Sequence, residues 1–343
     1  MSSPPVSFSE PLVIGTVPVP GRVVLAPMAG ITDVPMRRIA HETGTPLTVS
    51  EMVAGRQLVA AEAEAVVKAE RVAGALHAVQ LAGCEPAAMA EATRIVVGSG
   101  ADLVDINMGC PAKRVVNGWS GSALMRDLEG ALAIVSAVVK ASPVPVTLKM
   151  RLGWDEASRN APELARRAEA EGVALVTVHG RTRSQFYTGR ADWAEIARVR
   201  EAVRIPLVAN GDCDGVEAAR TMLRVSGADA VMIGRAAVGR PWLPGLVARA
   251  LSVGGTPARP GMARRLALLE AQVAEMVARD GAGLGLRLAR KHVAATFDAV
   301  VEDGLGMEPA DLRRRALTAT DVAAAAEARA AWFDAVAGQR SAA

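Results

Sequence analysis

The stretch LVDINMGCPAKRVVNGWSGSALMRD, Leu103–Asp127, decides how the chain is read. It opens as the apolar run LVDIN, the composition of a strand buried on both faces. At Asn107 it turns polar and enters a glycine-rich loop carrying Cys110 beside a proline. A strand ending in this way belongs to a parallel sheet whose reacting groups project from the C-terminal strand ends.

Seven further runs share the pattern: RVVLAPM from Arg22, LTVSEM from Leu47, LHAVQL from Leu76, VPVTLKM from Val144, ALVTVH from Ala174, PLVANGD from Pro206 and ADAVMIG from Ala228. Most precede a helix-periodic segment, with Pro86 and Pro162 in first turns and Gly172 at a helix end. Eight such units predict an α/β fold, a (β/α)8 TIM barrel. Beyond RPWLPG and the link GGTPARPG, Gly254–Gly261, the text is helical. The expected division is a barrel over 1–250 and a smaller all-helical domain over 256–343.

A chain of 343 residues, 51% hydrophobic, supplies a barrel and an appendage. MSSPPVSFSEPLVIG shows no basic region followed by an apolar one, and no apolar run spans a bilayer, so the expectation is a cytoplasmic protein with no membrane and no obligate protein partner. Cys84, Cys110 and Cys213, 26 and 103 residues apart, suit neither disulfides nor a structural zinc site, and no metal is expected. A net charge of +3 permits a polyanionic partner, while aromatics at 3% offer little for stacking single strands.

The expected strand ends are polar in nearly every unit. They are Pro27, Met28 and Ala29; Ser50 and Glu51; Gln80; Asn107; Lys149 and Arg151; His179 and Arg181; Asn210 and Asp212; Gly234 and Arg235. One or two such ends would be caps; seven on one face read as a site. The turns Asn210-Gly211-Asp212 and Gly234-Arg235 offer backbone N–H groups where barrels bind phosphate. Lys149, an ammonium ending an apolar strand, needs an anion or reacting chemistry, either a Schiff base or a bound ring that becomes negative.

These residues, in long ordered motifs, give the chain a family likeness. APMAGITDVPMR, AVQLAG, DINMGCPAKRVVNGWSGSALMRD, VTLKMRLGW, TVHGRTRSQFYTGRADW, VANGD and VMIGRAAVGRPW, over roughly residues 20 to 250, resemble the tRNA-dihydrouridine synthases, most of all the bacterial B-type branch. LARKHVAATF, Leu288–Phe297, resembles part of that family's helical domain, but Ala294, Ala295 and Thr296 stand where aromatics often follow the Lys-His pair.

The resemblance implies an FMN enzyme that reduces the C5–C6 bond of uridine in tRNA with NADPH or NADH. It makes Cys110 the catalytic proton donor to C5, on a loop hinged at Gly109, Gly118 and Gly121. It implies FMN contacts from Pro27, Met28, Ala29, Gln80, Lys149, His179, Asn210, Gly211, Asp212, Gly234 and Arg235. Asn107 would orient the uracil, and Arg181, Arg183 and Arg190, together with Arg287, Arg290 and Lys291 at helical spacing, would meet RNA, with Arg313 to Arg315 a further cluster. Three rivals are an FMN barrel oxidoreductase acting on a small pyrimidine, an aldolase using Lys149, and an idle RNA-binding protein.

Overall fold

The computed structural model describes residues 10–341. The reading of MSSPPVSFS as free of an export signal lies outside them. Strands are numbered β1 to β11 along the chain. The main sheet has nine strands, all parallel, in the order β4-β3-β11-β10-β9-β8-β7-β6-β5. They are β3 (Val23–Leu25), β4 (Leu47–Thr48), β5 (Val53–Ala54), β6 (Ala78–Ala82), β7 (Leu103–Met108), β8 (Val146–Arg151), β9 (Leu175–His179), β10 (Leu207–Asn210) and β11 (Ala230–Ile233).

Nine strands serve eight units because the second unit is split. Its first piece, β4, pairs with β3, and its second, β5, pairs with β6. Between them Val49 bridges Ala78, and the Ser50 N–H donates to the Ala78 carbonyl at 3.0 Å. The two edges of the sheet therefore meet within Leu47–Ala54, and the sheet closes into a TIM-type barrel. Closure removes the free edges that a parallel sheet of short apolar strands would otherwise expose.

The sequence reading missed an antiparallel hairpin, β1 (Leu12–Ile14) and β2 (Val17–Val19), turning at Gly15 with φ +58°. Leu12, Ile14 and Val19 pack with Val24, Leu47, Ala78, Leu103, Leu175, Val208 and Ala230, at or near the starts of the barrel strands. Each buried aliphatic side chain contributes roughly 1.5–3 kcal/mol, so the hairpin is a plug in the N-terminal end of the cylinder. The short run VIGTVPV was too brief to register beside the longer strands.

The chain divides into two compact units. One comprises the chain up to Arg235 with Pro244–Thr256; the other comprises Ala236–Leu243 and the chain from Pro257 onward. The helical unit contains Met262–Glu302, broken at Gly281 where φ is +78°, then Ala310–Thr318 and Val322–Ser341. Phe297 stacks on Trp332 at 3.9 Å, with Phe333 edge-on to both, and this aromatic knot centres its core. Reading on sequence placed Ala236–Leu243 in the barrel because it follows the eighth strand directly. In the structure it packs on the helical unit: Arg240 pairs with Asp303, Trp242 lies under Arg265, and a Cβ on Gly239 would fall 2.1 Å from the Ala295 carbonyl. Ala295 thus stands where two backbones touch.

Candidate active site

Parallel register builds the site. Neighbouring partners point to the same side of a sheet, so Gln80, Asp105 and Thr147, aligned across β6, β7 and β8, share the barrel interior. One step nearer the mouth, Asn107 aligns with Lys149, and beyond them Arg151 aligns with His179 and His179 with Asn210. A twofold side-chain period puts Asp105 with Asn107, and Lys149 with Arg151, on one face.

A chain of hydrogen bonds runs through the first two of these layers. The Thr147 hydroxyl and the Gln80 amide each donate to Asp105 at 2.6 Å. Asn107 Nδ2 donates to Gln80 Oε1 at 2.7 Å, and Asn107 Oδ1 accepts the N–H groups of Gly109 at 3.1 Å and Cys110 at 3.0 Å. Burial raises the Asp105 carboxyl above its usual range, opposed by its two hydrogen bonds and by the charge on Lys149. Asn107 was expected to offer both a donor and an acceptor to a ring. Its oxygen has both lone pairs filled by the thiol turn, leaving one amide N–H for any ligand.

Cys110 is half-buried at the mouth. Its carbonyl accepts from the Ser122 hydroxyl at 2.8 Å and the Ser122 N–H at 3.1 Å, which folds the loop back on itself. Gly121 makes that fold possible: it adopts φ +60°, and a Cβ there would sit 2.9 Å from the Cys110 carbonyl. Arg151, 1% exposed, donates to the Gly109 carbonyl at 2.8 Å and to the carbonyls of Thr182 and Phe186 at 2.8 Å each. One guanidinium thereby ties the thiol turn to the loop after β9. Burial pulls it down to about 10, so it stays charged at neutral pH. Sequence reading noted Arg151 without giving it work, although its spacing from Lys149 was the available signal.

Lys149 projects into the mouth with no carboxylate paired to it among the described residues. Burial and the nearby Arg151 pull its ammonium down to about 8, against Asp105 and Cys110, which hold it up. His179 is kept neutral by burial and by the charges of Lys149, Arg151, Arg181 and Arg235. A guanidinium only donates, so the 3.3 Å contact of Arg181 with His179 Nε2 places the ring proton on Nδ1.

Arg181 was expected to meet RNA but is buried, held by Asp212 at 2.6 Å and by the carbonyls of Thr188 and Gly189. It is a strut, because a strand-end arginine two residues past an inward histidine points inward too. Burial would raise Asp212, but the Arg181 and Ala191 hydrogen bonds and the charge of Arg235 hold it low. That carboxylate is acceptor-only and fully engaged, so it orders the corner and leaves anion binding to its neighbours. Arg235 is more than half exposed, lies over Tyr187 at 4.8 Å and keeps N–H groups facing solvent. Gly211 needs its φ of +115°, since a Cβ would meet Ala191 at 2.6 Å and His179 at 2.8 Å. Asn210 donates to the Met232 carbonyl at 2.8 Å, while a Cβ on Gly234 would find ordinary contacts at 3.6 Å or more. Beside Gly234, on the neighbouring strand β3, the Met28 N–H is taken by the Thr32 hydroxyl, Glu51 accepts the Gly30 N–H at 2.5 Å, and Pro27 and Ala29 flank Met28 just past the strand end.

The unpaired Lys149 ammonium, the neutral His179 and the exposed Arg235 edge suit a flat anionic ring carrying a phosphate. In the helical unit, Arg287 is exposed and Arg290 and Lys291 half-buried, none paired with a carboxylate among the described residues. Arg313 and Arg314 are neutralised by Asp298, Glu308 and Asp311, which removes most of the further basic cluster read from sequence. Among the described residues no three His, Cys, Asp or Glu side chains are grouped to hold a metal, and no helix is long and apolar enough to cross a membrane.

A closed parallel barrel with converging cations and a thiol at its C-terminal mouth defines the class: a TIM-barrel protein with its site at the strand ends. The chain belongs to the dihydrouridine synthase family, whose model matches residues 24–334. It is 50% identical over 291 residues to the probable tRNA-dihydrouridine synthase of Rhizobium leguminosarum bv. phaseoli, covering 85% of this chain and 90% of that one. It is 48% identical over 299 residues to the tRNA-dihydrouridine synthase B of Xanthomonas axonopodis pv. citri, covering 84% of this chain and 90% of that one. Among solved structures it is similar in fold to the 6-hydroxypseudooxynicotine amine oxidase of Pseudomonas geniculata N1, with TM-score 0.54 and 15% identity. That match covers 71% of this chain, which spans about half (49%) of the oxidase.

Proposed function

We propose that this protein reduces the C5–C6 double bond of uridine in tRNA, with FMN as its bound group and NADPH as reductant, and that it works in the cytoplasm. The observation that carries the reading is a cysteine whose backbone N–H is held at a barrel mouth by Asn107, on the strand beside an ammonium that has no carboxylate paired to it among the described residues. Hydride transfer from a nicotinamide to C6 is the chemistry FMN supplies when bound.

The chain's own residues do the rest. Lys149 neutralises negative charge on the ring, and His179 donates from Nδ1–H as a neutral imidazole. Arg235 and the backbone of Gly211 and Gly234 would receive the phosphate, with Pro27, Met28 and Ala29 lining the site from the strand next to Gly234. Gln80 keeps one amide N–H beyond its bond to Asp105. As hydride reaches C6, negative charge spreads over C5 and the C4 oxygen; the C5–H bond forms with the Cys110 proton, and the sulfur keeps the electron pair until solvent reprotonates it. Asn107 offers its remaining N–H to the uracil. The helical unit recognises the tRNA through Arg287, Arg290 and Lys291, by phosphate and shape.

The test is Cys110→Ala. FMN-loaded variant still oxidises NADPH but makes no dihydrouridine in tRNA, measured by nucleoside mass spectrometry. A variant forming dihydrouridine at the native rate removes the thiol from the mechanism.

A further inference from the structure

Around the barrel mouth, aromatic rings and guanidinium groups alternate. Arg126 lies over Trp119 at 5.4 Å and over Trp154 at 4.9 Å, and Arg183 lies over Trp154 at 4.5 Å and over Phe186 at 4.8 Å. The five side chains form a ladder across three loops: the Cys110 loop, the loop after β8 and the loop after β9. Backbone bonds brace it, with the N–H groups of Arg183 and Ser184 donating to the carbonyls of Gly153 and Trp154 at 2.9 Å each.

Core packing does not explain this ladder. Trp119 is 58% exposed and adopts φ +53°, a conformation costly for a bulky residue. Nor does charge pairing: arginines such as Arg159, Arg167 and Arg181 hold carboxylates, whereas neither the exposed Arg126 nor the half-buried Arg183 does among the described residues, and the buried Nε of Arg183 has no hydrogen-bond partner. A guanidinium stacked by its faces on rings keeps its N–H edge for a planar or tetrahedral anion. An exposed indole beside such edges, on the loop that carries the thiol, has the chemistry of a nucleotide seat.

We propose that the ladder Trp119–Arg126–Trp154–Arg183–Phe186 seats the nucleotides flanking the target uridine, with phosphates on the edges of Arg126 and Arg183 and a flanking base on the exposed face of Trp119. This rests on the tRNA reading above. An acidic protein segment would use the charges but has no base for Trp119, so RNA is the occupant.

The experiment uses full-length, FMN-loaded protein, with Arg126→Ala, Arg126→Lys and Trp119→Ala assayed for dihydrouridine formation at varied tRNA and salt. NADPH oxidation without tRNA and thermal melting report whether each variant is intact. Arg126→Ala and Trp119→Ala each raise the KM for tRNA roughly tenfold. Arg126→Ala also lowers the salt slope of tRNA binding by about one. Arg126→Lys keeps the charge and the slope but recovers only part of the affinity, because an ammonium cannot bind two phosphate oxygens in one plane. Unchanged KM and salt slope in intact variants, with the native protein making dihydrouridine, overturn the ladder and leave the tRNA reading standing. A native protein that neither binds nor modifies tRNA overturns both.

Discussion

At the residue scale, on the proposed function, Lys149 is the most consequential side chain after Cys110. Its ammonium, pulled down to about 8, is charged below that pH and neutral above it. A ring that turns anionic on reduction prefers the charged form, so affinity for reduced FMN falls as pH rises from 7 to 9, by up to about tenfold, and Lys149→Met is weak and flat across the range. Anaerobic titration with chemically reduced FMN at each pH checks this. The stability of the flavin-free chain moves the other way. Between about 8 and 10.5 the unfolded state holds more protons than the folded one, so stability increases with pH through that window. Lysine, cysteine and histidine at strand ends were legible because their chemistry is rare in apolar runs. The saturation of Asn107 and the burial of Arg181 were not, since which lone pair is filled depends on neighbours distant in sequence.

At the scale of elements, the Cys110 loop is held at both ends: Asn107 and Arg151 grip its base, and Ser122 grips the Cys110 carbonyl. Gly121→Ala would push a Cβ into that carbonyl at φ +60°; it costs stability on the order of 1 kcal/mol and slows dihydrouridine formation by tenfold or more. Single-turnover rates with tRNA against those with NADPH separate this from a loss of flavin. In the helical unit Asp303, 6% exposed at its side chain, joins Arg240, Arg259 and Arg265. Burial would raise its carboxyl, but hydrogen bonds from Arg265 and Arg240 win and hold it low. Its stabilisation is present above the ordinary aspartate value and is lost as pH falls through the lowered one. Asp303→Ala leaves Arg259 and the buried Arg265 without their carboxylate, while Arg240 keeps Glu302, and destabilises by about 3 kcal/mol, read from denaturant midpoints. Asp303 was invisible in sequence because its partners come from three separate stretches. The four rim aromatics were equally hidden: at 3% of the chain they looked sparse, and only folding gathers Trp119, Trp154, Phe186 and Tyr187 around one mouth.

For the molecule as a whole, the barrel was readable because eight apolar runs in series admit few arrangements, and parallel register follows from them. The β1–β2 hairpin escaped notice, being two strands of three residues, and yet it governs traffic. A cylinder stoppered at one end has a single doorway. On the proposed function, two bulky reactants that both need the space above one cofactor take turns, the spent nicotinamide leaving before the RNA enters. Initial rates measured against NADPH at several tRNA concentrations accordingly fall on parallel double-reciprocal lines; intersecting lines would require a second way in that the stopper denies.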